Sequence, residues 1–296
     1  MKIFDCFMYF DEQIVLEVRL NTLNKYVDYF VIVESNFTHS GESRSLNFDI
    51  NKFRKFKDKI IYLIYDQKPS DIEIINKNDH KNDKARKYIM NAIKRENGQR
   101  NYLQNGLNDA KNDDIILISD VDEIPNLENI DFRNFKNKII QFKQDMFYYK
   151  FNLFLPKLIW TGTKGCRKKN LVNPQWLRNI KDRKYSILRL DALFSKKKYC
   201  DVFFVENGGW HFTNIKSPKD IRHKLSSYLH HIEYDENPMD ANEIENIIKK
   251  KKAIYDLNLD KKLNKLGEGN KLEVYDINKL PKYIKQNEKI FERWLD

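Results

Sequence analysis

The sequence predicts an α/β fold, with a mostly parallel central sheet flanked by helices and a helical C-terminal portion. Two observations carry this. Apolar, β-branched and aromatic runs alternate with helical segments over the first 120 or so residues, the rhythm of a parallel sheet covered on both faces. The run Ile115-Ile116-Leu117-Ile118 then ends abruptly in Ser119-Asp120-Val121-Asp122-Glu123, with Pro125 two residues on. A continuous apolar run reads as a central strand buried on both faces. Its acids therefore fall at a strand's carboxyl end, where open α/β sheets place their ligands.

The elements follow in order. Lys2 to Phe10 reads as a first strand, and Asp11 as the cap of a helix whose Leu16, Leu20 and Leu23 share one face. Tyr29 to Val33 is a second strand, ending in Glu34-Ser35. Residues 36–48 suit a loop, Lys59 to Tyr65 a third strand, and the polar stretch from Gln67 to Asp83 another loop. A helix from Lys84 to about Ala110 leads into the acidic strand, and Pro125 is expected to stop it. Beyond Asp131 the chain turns aromatic. Ile139 to Phe154 reads as a packed strand pair or as a platform for a sugar or base face. Gly162 to Asn173 reads as a basic loop, and Tyr185 to Phe194 and Asp201 to Glu206 as strands. Ser217-Pro218 starts a helix reaching about His231. A charged helix covers roughly 240–256, and a last one runs from about 279 to Trp294.

Composition bounds the function. A hydrophobic fraction of 41% with 13% aromatics supports a sizeable core and excludes a disordered chain. Lys and Arg outnumber Asp and Glu by 54 to 43, so anionic partners are favoured: nucleic acid, nucleotide phosphates or an acidic membrane surface. Cys6, Cys166 and Cys200 are widely spaced and form no C-x-x-C pair, which gives neither a zinc site nor a disulfide framework. The N-terminus does not read as a signal peptide, and no apolar run approaches the roughly 18 residues that span a bilayer. A cytoplasmic protein is expected.

Several groups could do chemistry. Asp120 and Asp122, two apart at a strand end, can converge on a hard divalent cation and leave positions open for substrate phosphates. A solvated acidic turn is the alternative. Glu34-Ser35 could hold the ribose or base of a nucleotide, or cap a turn. Arg100, with Gln99, could face the sheet edge and pair with Asp120, Asp122 or a phosphate. His211, after Gly208-Gly209-Trp210, can ligate a metal as neutral imidazole. Arg222, Lys224, His230, His231 and Glu233 could grip a diphosphate or decorate a helix.

Read together, these residues resemble glycosyltransferase family 17. The likeness rests on Asp5-Cys6-Phe7, Asp11-Glu12, Leu16 to Leu20, Val27 to Ser35, Thr38-His39-Ser40-Gly41, Gln99-Arg100, Ser119 to Pro125, Gly209-Trp210-His211-Phe212, Lys224 and His231-x-Glu233. It covers roughly residues 3–235. The resemblance implies a GT-A-like domain over 1–235, divided into a Rossmann-like nucleotide-sugar half (about 1–125) and an acceptor half (about 126–235). A helical extension, 236–296, would pack on it. It also implies an inverting, metal-dependent transferase moving N-acetylglucosamine or a related hexose from a UDP-sugar to a glycan hydroxyl. Asp120 and Asp122, with His211, would bind Mn²⁺ or Mg²⁺. Glu34 and Ser35 would contact the nucleotide, and Arg100, Lys224 and His231 the phosphates. Glu206, Asp145 and Asp191 are candidates for the base that takes the acceptor proton, Glu206 ranking first, with Glu123 a further acid beside the cation. Asp122 is expected to ligate the ion directly, and Asp120 to touch the ribose or reach the ion through water. The implied partners are a nucleotide-sugar donor and a glycan or lipid-linked saccharide acceptor, not nucleic acid. The basic charge would allow peripheral contact with anionic membrane. The competing readings are a metal-dependent nuclease or phosphoesterase and a nucleotide-sugar-binding relative without catalysis.

Overall fold

Four apolar runs build the parallel half of the sheet. β1 (Ile3–Tyr9), β2 (Tyr29–Ser35), β3 (Ile60–Tyr65) and β4 (Ile115–Asp120) lie side by side in the order β3-β2-β1-β4, all parallel. The computed structural model describes residues 1–186, 188–227, 234, 238–255, 266–267 and 269–296. The two-residue period of the strands divides two apolar cores between the sheet faces. Phe7, Tyr9, Phe30, Ile32, Ile115 and Leu117 face α1 (Gln13–Leu23), whose Val15, Leu16, Leu20 and Leu23 close that side. Phe4, Cys6, Val31, Val33, Ile116 and Ile118 face the other way, towards Leu103, Leu107, Trp176 and Leu177. That second side is covered by α2 (Lys81–Tyr102), a 3-10 turn at Leu103–Leu107 and α3 (Pro174–Asn179).

The helix boundaries differ from expectation for identifiable reasons. Glu12, not Asp11, is the N-cap residue of α1, and its carboxylate accepts the amides of Phe10 (3.2 Å) and Asp11 (3.1 Å). Asp11 turns instead to Lys216. α2 starts before Lys84 and gives way after Tyr102 to the 3-10 turn. α3 is new: Asn173 caps it by accepting the Trp176 amide (2.7 Å), and Pro174 occupies its first turn.

The other half of the sheet is mixed. Pro125 does not end the chain's extended course at β4. After a turn at Val121-Asp122 a short strand β5 (Glu123–Pro125) forms at the sheet edge, where a missing amide is tolerated. β6 (Ile139–Tyr148) and β7 (Leu153–Arg167) are the aromatic strand pair, antiparallel to each other, with β7 antiparallel to β4. The stretch expected to be a basic loop from Gly162 is therefore strand as far as Arg167. β8 (Val202–Val205) and β9 (Gly209–Thr213) pair parallel with β6, and β9 carries β5, which gives the order β4-β7-β6-β9-β5. The strand expected over Tyr185 to Phe194 does not form; Leu190–Leu193 make a short helix, α4.

α5 (Pro218–Ser227) starts where Ser217-Pro218 places it, and its continuation towards His231 lies outside the described residues. α6 (Ala241–Lys249) carries a capping box between Asp240 and Glu243. β10 (Glu273–Val274) adds to β7, and the expected last helix is broken into α7 (Lys282–Gln286) and α8 (Glu288–Phe291). Leu280, Ile284 and Phe291 join the same core as α1 and the parallel strands. No helix among the described residues is long and apolar enough to cross a membrane.

Candidate active site

The carboxyl ends of β1, β2 and β4 open on one cleft, lined by Tyr9, Phe10, Ser35, Thr38, His39, Gln99, Asp120 and Asp122 among others. Its acidic rim is fixed from beneath by Arg19, a fully buried residue of α1. The guanidinium forms a two-pronged pair with Asp5 (2.6 and 2.8 Å) and donates to Ser119 Oγ. It also donates to the carbonyls of Asp120, Val121 and Glu123 at 3.1, 3.1 and 2.9 Å. The acidic turn is thus nailed to the sheet by its own backbone, which leaves its side chains to point elsewhere.

They point in different directions. Asp120 continues the Ile116–Ile118 face, towards α2 and α3. There its Oδ1 accepts from Arg100 (3.0 Å) and its Oδ2 from Arg178 (2.9 Å). Burial opposes its charge, but Arg178 and Arg100 outweigh burial and hold the carboxyl well below the usual carboxylate range. Arg178 is shared with Glu123 (2.6 and 2.9 Å), whose carboxylate also accepts Trp160 Nε1 (2.6 Å) and the Asp120 amide (3.0 Å). Arg100 is shared with Glu96 (2.7 Å) and Gln175 (2.6 Å). Glu123 is thereby part of the scaffold.

Asp122 lies beyond the turn and meets His211. The β5–β9 ladder sets Glu123 opposite His211, and the Phe212 amide donates to the Asp122 carbonyl (2.8 Å). His211 Nε2 stands 3.6 Å from Asp122 Oδ1. Burial disfavours charge on both groups, yet each favours charge on the other: Asp122 is lowered and His211 raised. Lys224, on α5, approaches Glu12 at 3.8 Å and is raised, because Glu12 and Asp122 outweigh burial. Asp120, Asp122, Arg100, His211 and Lys224, separated by as many as 124 residues of sequence, are gathered at one place.

The other predicted residues stand differently. Ser35 lines the cleft and its hydroxyl accepts the Phe37 amide (3.2 Å). The Glu34 carboxylate is spent on the neighbouring loop: it accepts from Arg44 (2.9 Å), the amides of Asn47 (2.7 Å) and Phe48 (3.0 Å), and Tyr62 Oη (2.8 Å). Asp145 aligns with Trp210, so strand alternation sets it on the sheet face opposite His211, where it accepts from Tyr275 Oη (2.8 Å). Glu206 lies in the turn before β9, largely exposed and paired with Lys143 (2.6 Å). Asp191 is at the surface, between Arg189 and Lys198. None of these three is joined to the Asp122–His211 pair by a described contact. His231 lies outside the described residues.

A divalent cation is tested against the same geometry. Among the described residues no three His, Cys, Asp or Glu side chains form a metal-holding group, and both oxygens of Asp120 are taken by guanidinium groups. What remains is a two-ligand set. Asp122 and His211 are adjacent, and His211 Nδ1 is buried without a hydrogen-bond partner among the described residues. Two protein ligands fit a cation that takes its other oxygens from a substrate diphosphate and water.

Sequence reasoning missed Arg178, Glu12 and the Arg19–Asp5 pair. Arg178 was within reach, since Asn173-Pro174 is a helix-start signal that places it on a short helix. Nothing local marks Arg19 as the residue under the acidic turn.

The model for glycosyltransferase family 17 matches residues 1–295. The chain belongs to glycosyltransferase family 17. The match takes in the C-terminal segments beyond residue 235 as well as the strands that form the cleft. A comparison with curated proteins finds no match. This family 17 chain is a glycosyltransferase, a class that takes a sugar from a nucleotide-sugar donor to a glycan acceptor.

Proposed function

We propose that the protein is an inverting transferase that moves N-acetylglucosamine or a related hexose from a UDP-sugar to a hydroxyl of a glycan or lipid-linked saccharide, with Mn²⁺ or Mg²⁺. The adjacency of Asp122 and His211 beside the strand-end cleft carries this reading. Asp122 and His211 would hold the cation, which, when bound, neutralises charge on the departing nucleoside diphosphate. Lys224, kept charged between Glu12 and Asp122, lies beside the pair and adds a positive charge for the diphosphate. Asp120 has a different role in this reading. Clamped by Arg100 and Arg178, it holds the wall between the cleft and the groove beyond, which Trp160 and Asn179 line.

The deciding experiment is thermal unfolding with UDP, with and without Mn²⁺. UDP at about 100 times its dissociation constant stabilises by roughly 2.7 kcal/mol. The gain is expected only with the metal and is expected to vanish in Asp122→Ala. Stabilisation by UDP that survives in that variant would overturn the Asp122 assignment. Stabilisation without any release of sugar from a UDP-sugar would leave a binding protein in place of an enzyme.

For the acceptor proton, Glu206 is proposed as the base on the family resemblance alone, since its carboxylate is exposed, pairs with Lys143 (2.6 Å) and has no described contact with the Asp122–His211 pair. Glu206→Gln is expected to lower transfer by about 10²-fold or more while leaving UDP binding unchanged. Undiminished transfer would remove Glu206 from the mechanism.

A further inference from the structure

Away from the cleft, the surface between α3 and β8 combines two features that are separately ordinary. Leu188, Leu190 and Phe194 are 86%, 72% and 89% exposed, within one short stretch of chain. A single exposed leucine needs no explanation, but clustered apolar side chains mark a contact surface. Around them the sequence is strongly basic: residues 181–198 hold seven Lys or Arg against two Asp.

The cations are organised. Arg183, Arg189 and Lys198 stand 4.9, 5.5 and 5.7 Å from the ring of the buried Tyr185. Asp191 ties Arg189 (2.8 Å) to Lys198 (2.5 Å), which gives this acid a structural role in the patch. The backbone is anchored to the body of the protein, since Trp176 Nε1 of α3 donates to the Lys196 carbonyl (2.9 Å) and the Lys181 amide to that of Lys197 (2.8 Å).

We propose that this patch docks the protein on the surface of an anionic lipid bilayer. Leu188, Leu190 and Phe194 enter the boundary between headgroups and acyl chains, and the surrounding Lys and Arg meet lipid phosphates. Charge complementarity selects this occupant. Protein interfaces deplete lysine at their apolar centres, whereas here Lys196, Lys197 and Lys198 follow Phe194 almost at once. The location matters too. Lys197 lines the groove that Trp160 and Arg178 also line, on the far side of Asp120 from the strand-end cleft. Docking would bring that groove to the bilayer surface, where a lipid-linked acceptor could enter it. This last step rests on the transferase reading, whereas the docking itself does not.

The test is sedimentation of the full-length protein with vesicles of phosphatidylcholine alone and of phosphatidylcholine with phosphatidylglycerol. Binding is expected only to the anionic vesicles and should weaken as salt rises towards 1 M. Each cation near such a surface is worth roughly fivefold in partitioning. Lys184→Glu with Lys196→Glu is therefore expected to reduce binding tenfold or more, and Leu188→Ser with Phe194→Ser to reduce it by a similar factor. Both variants change exposed side chains, so unchanged circular dichroism and unchanged UDP-linked stabilisation are expected alongside. Absence of vesicle binding, equal binding to neutral vesicles, or binding undiminished in both variants would overturn the proposal. So would a dimer in solution that Leu188→Ser with Phe194→Ser dissociates, since the apolar side chains would then face a second copy. Loss of UDP stabilisation in wild type with vesicle binding intact would instead count against the transferase reading alone.

Discussion

Two aspartates at the end of β4 do different work because one residue separates them and the chain turns there. Asp120 remains in the strand's alternation and is drawn to Arg100 and Arg178, while Asp122, past the turn, meets His211. Removing Arg178 would leave Asp120 and the buried Glu123 short of their cation. Arg178→Ala is accordingly expected to destabilise by on the order of 3–5 kcal/mol, the usual penalty for breaking a buried pair from one side, measurable by urea unfolding. The pH dependence follows from the same contacts. Because the folded carboxyl of Asp120 is held below its unfolded value, its contribution is fully present above about pH 4 and is lost as pH falls through the depressed folded value. Stability should therefore decline on the acid side. Asp120→Asn should flatten that decline, and an unchanged acid limb in this variant would refute the clamp as its source.

At the scale of elements, the site depends on the β5–β9 ladder more than on any single strand. Gly209 pairs with Pro125 at one end and sets the register that brings His211 opposite Glu123. It has a φ of +127°, and a Cβ there would press on the Ile124 carbonyl and the Asn126 amide. Gly209→Ala is expected to lower stability by about 1–3 kcal/mol, through backbone strain and displacement of β5. Because the shift moves His211, metal-dependent UDP stabilisation should fall by more than the stability change explains. The strands of the parallel half were legible in the sequence because each is apolar throughout, which is what burial on both faces demands. The segments at Gly162 and Tyr185 depart from their sequence pattern for the converse reason. Lys164 is buried inside β7 and donates to the carbonyls of Arg178 and Ile180, so a lysine stands where a loop was expected. Leu188, Leu190 and Phe194 look like a strand's core side chains and are exposed.

At the scale of the molecule, the C-terminal segments are packed into the same core as the cleft. Phe291 is fully buried, edge-on to Phe151 and Tyr283, and the Phe151 amide donates to the Trp294 carbonyl (2.8 Å). The Asp296 amide reaches Asn152 Oδ1 (2.8 Å). Phe291→Ala is expected to destabilise by about 3–5 kcal/mol, the range for emptying a buried phenylalanine site. Calorimetry should show one transition moved to lower temperature. A separate early transition, with the rest unaffected, would make the C-terminal portion an independent unit.

The sequence by itself determined the parallel strands, the placement of Asp120 and Asp122 at a strand's carboxyl end, and the family resemblance. All three are written in local pattern: apolar runs, a stop in acids, and motifs in a fixed order. Only the tertiary structure decided which acid meets which partner. Arg19, Arg100, Arg178 and His211 reach the acidic turn from four separate elements. A carboxylate's role is set by the charges within a few ångströms of it, and those charges are brought close by strand register and helix packing.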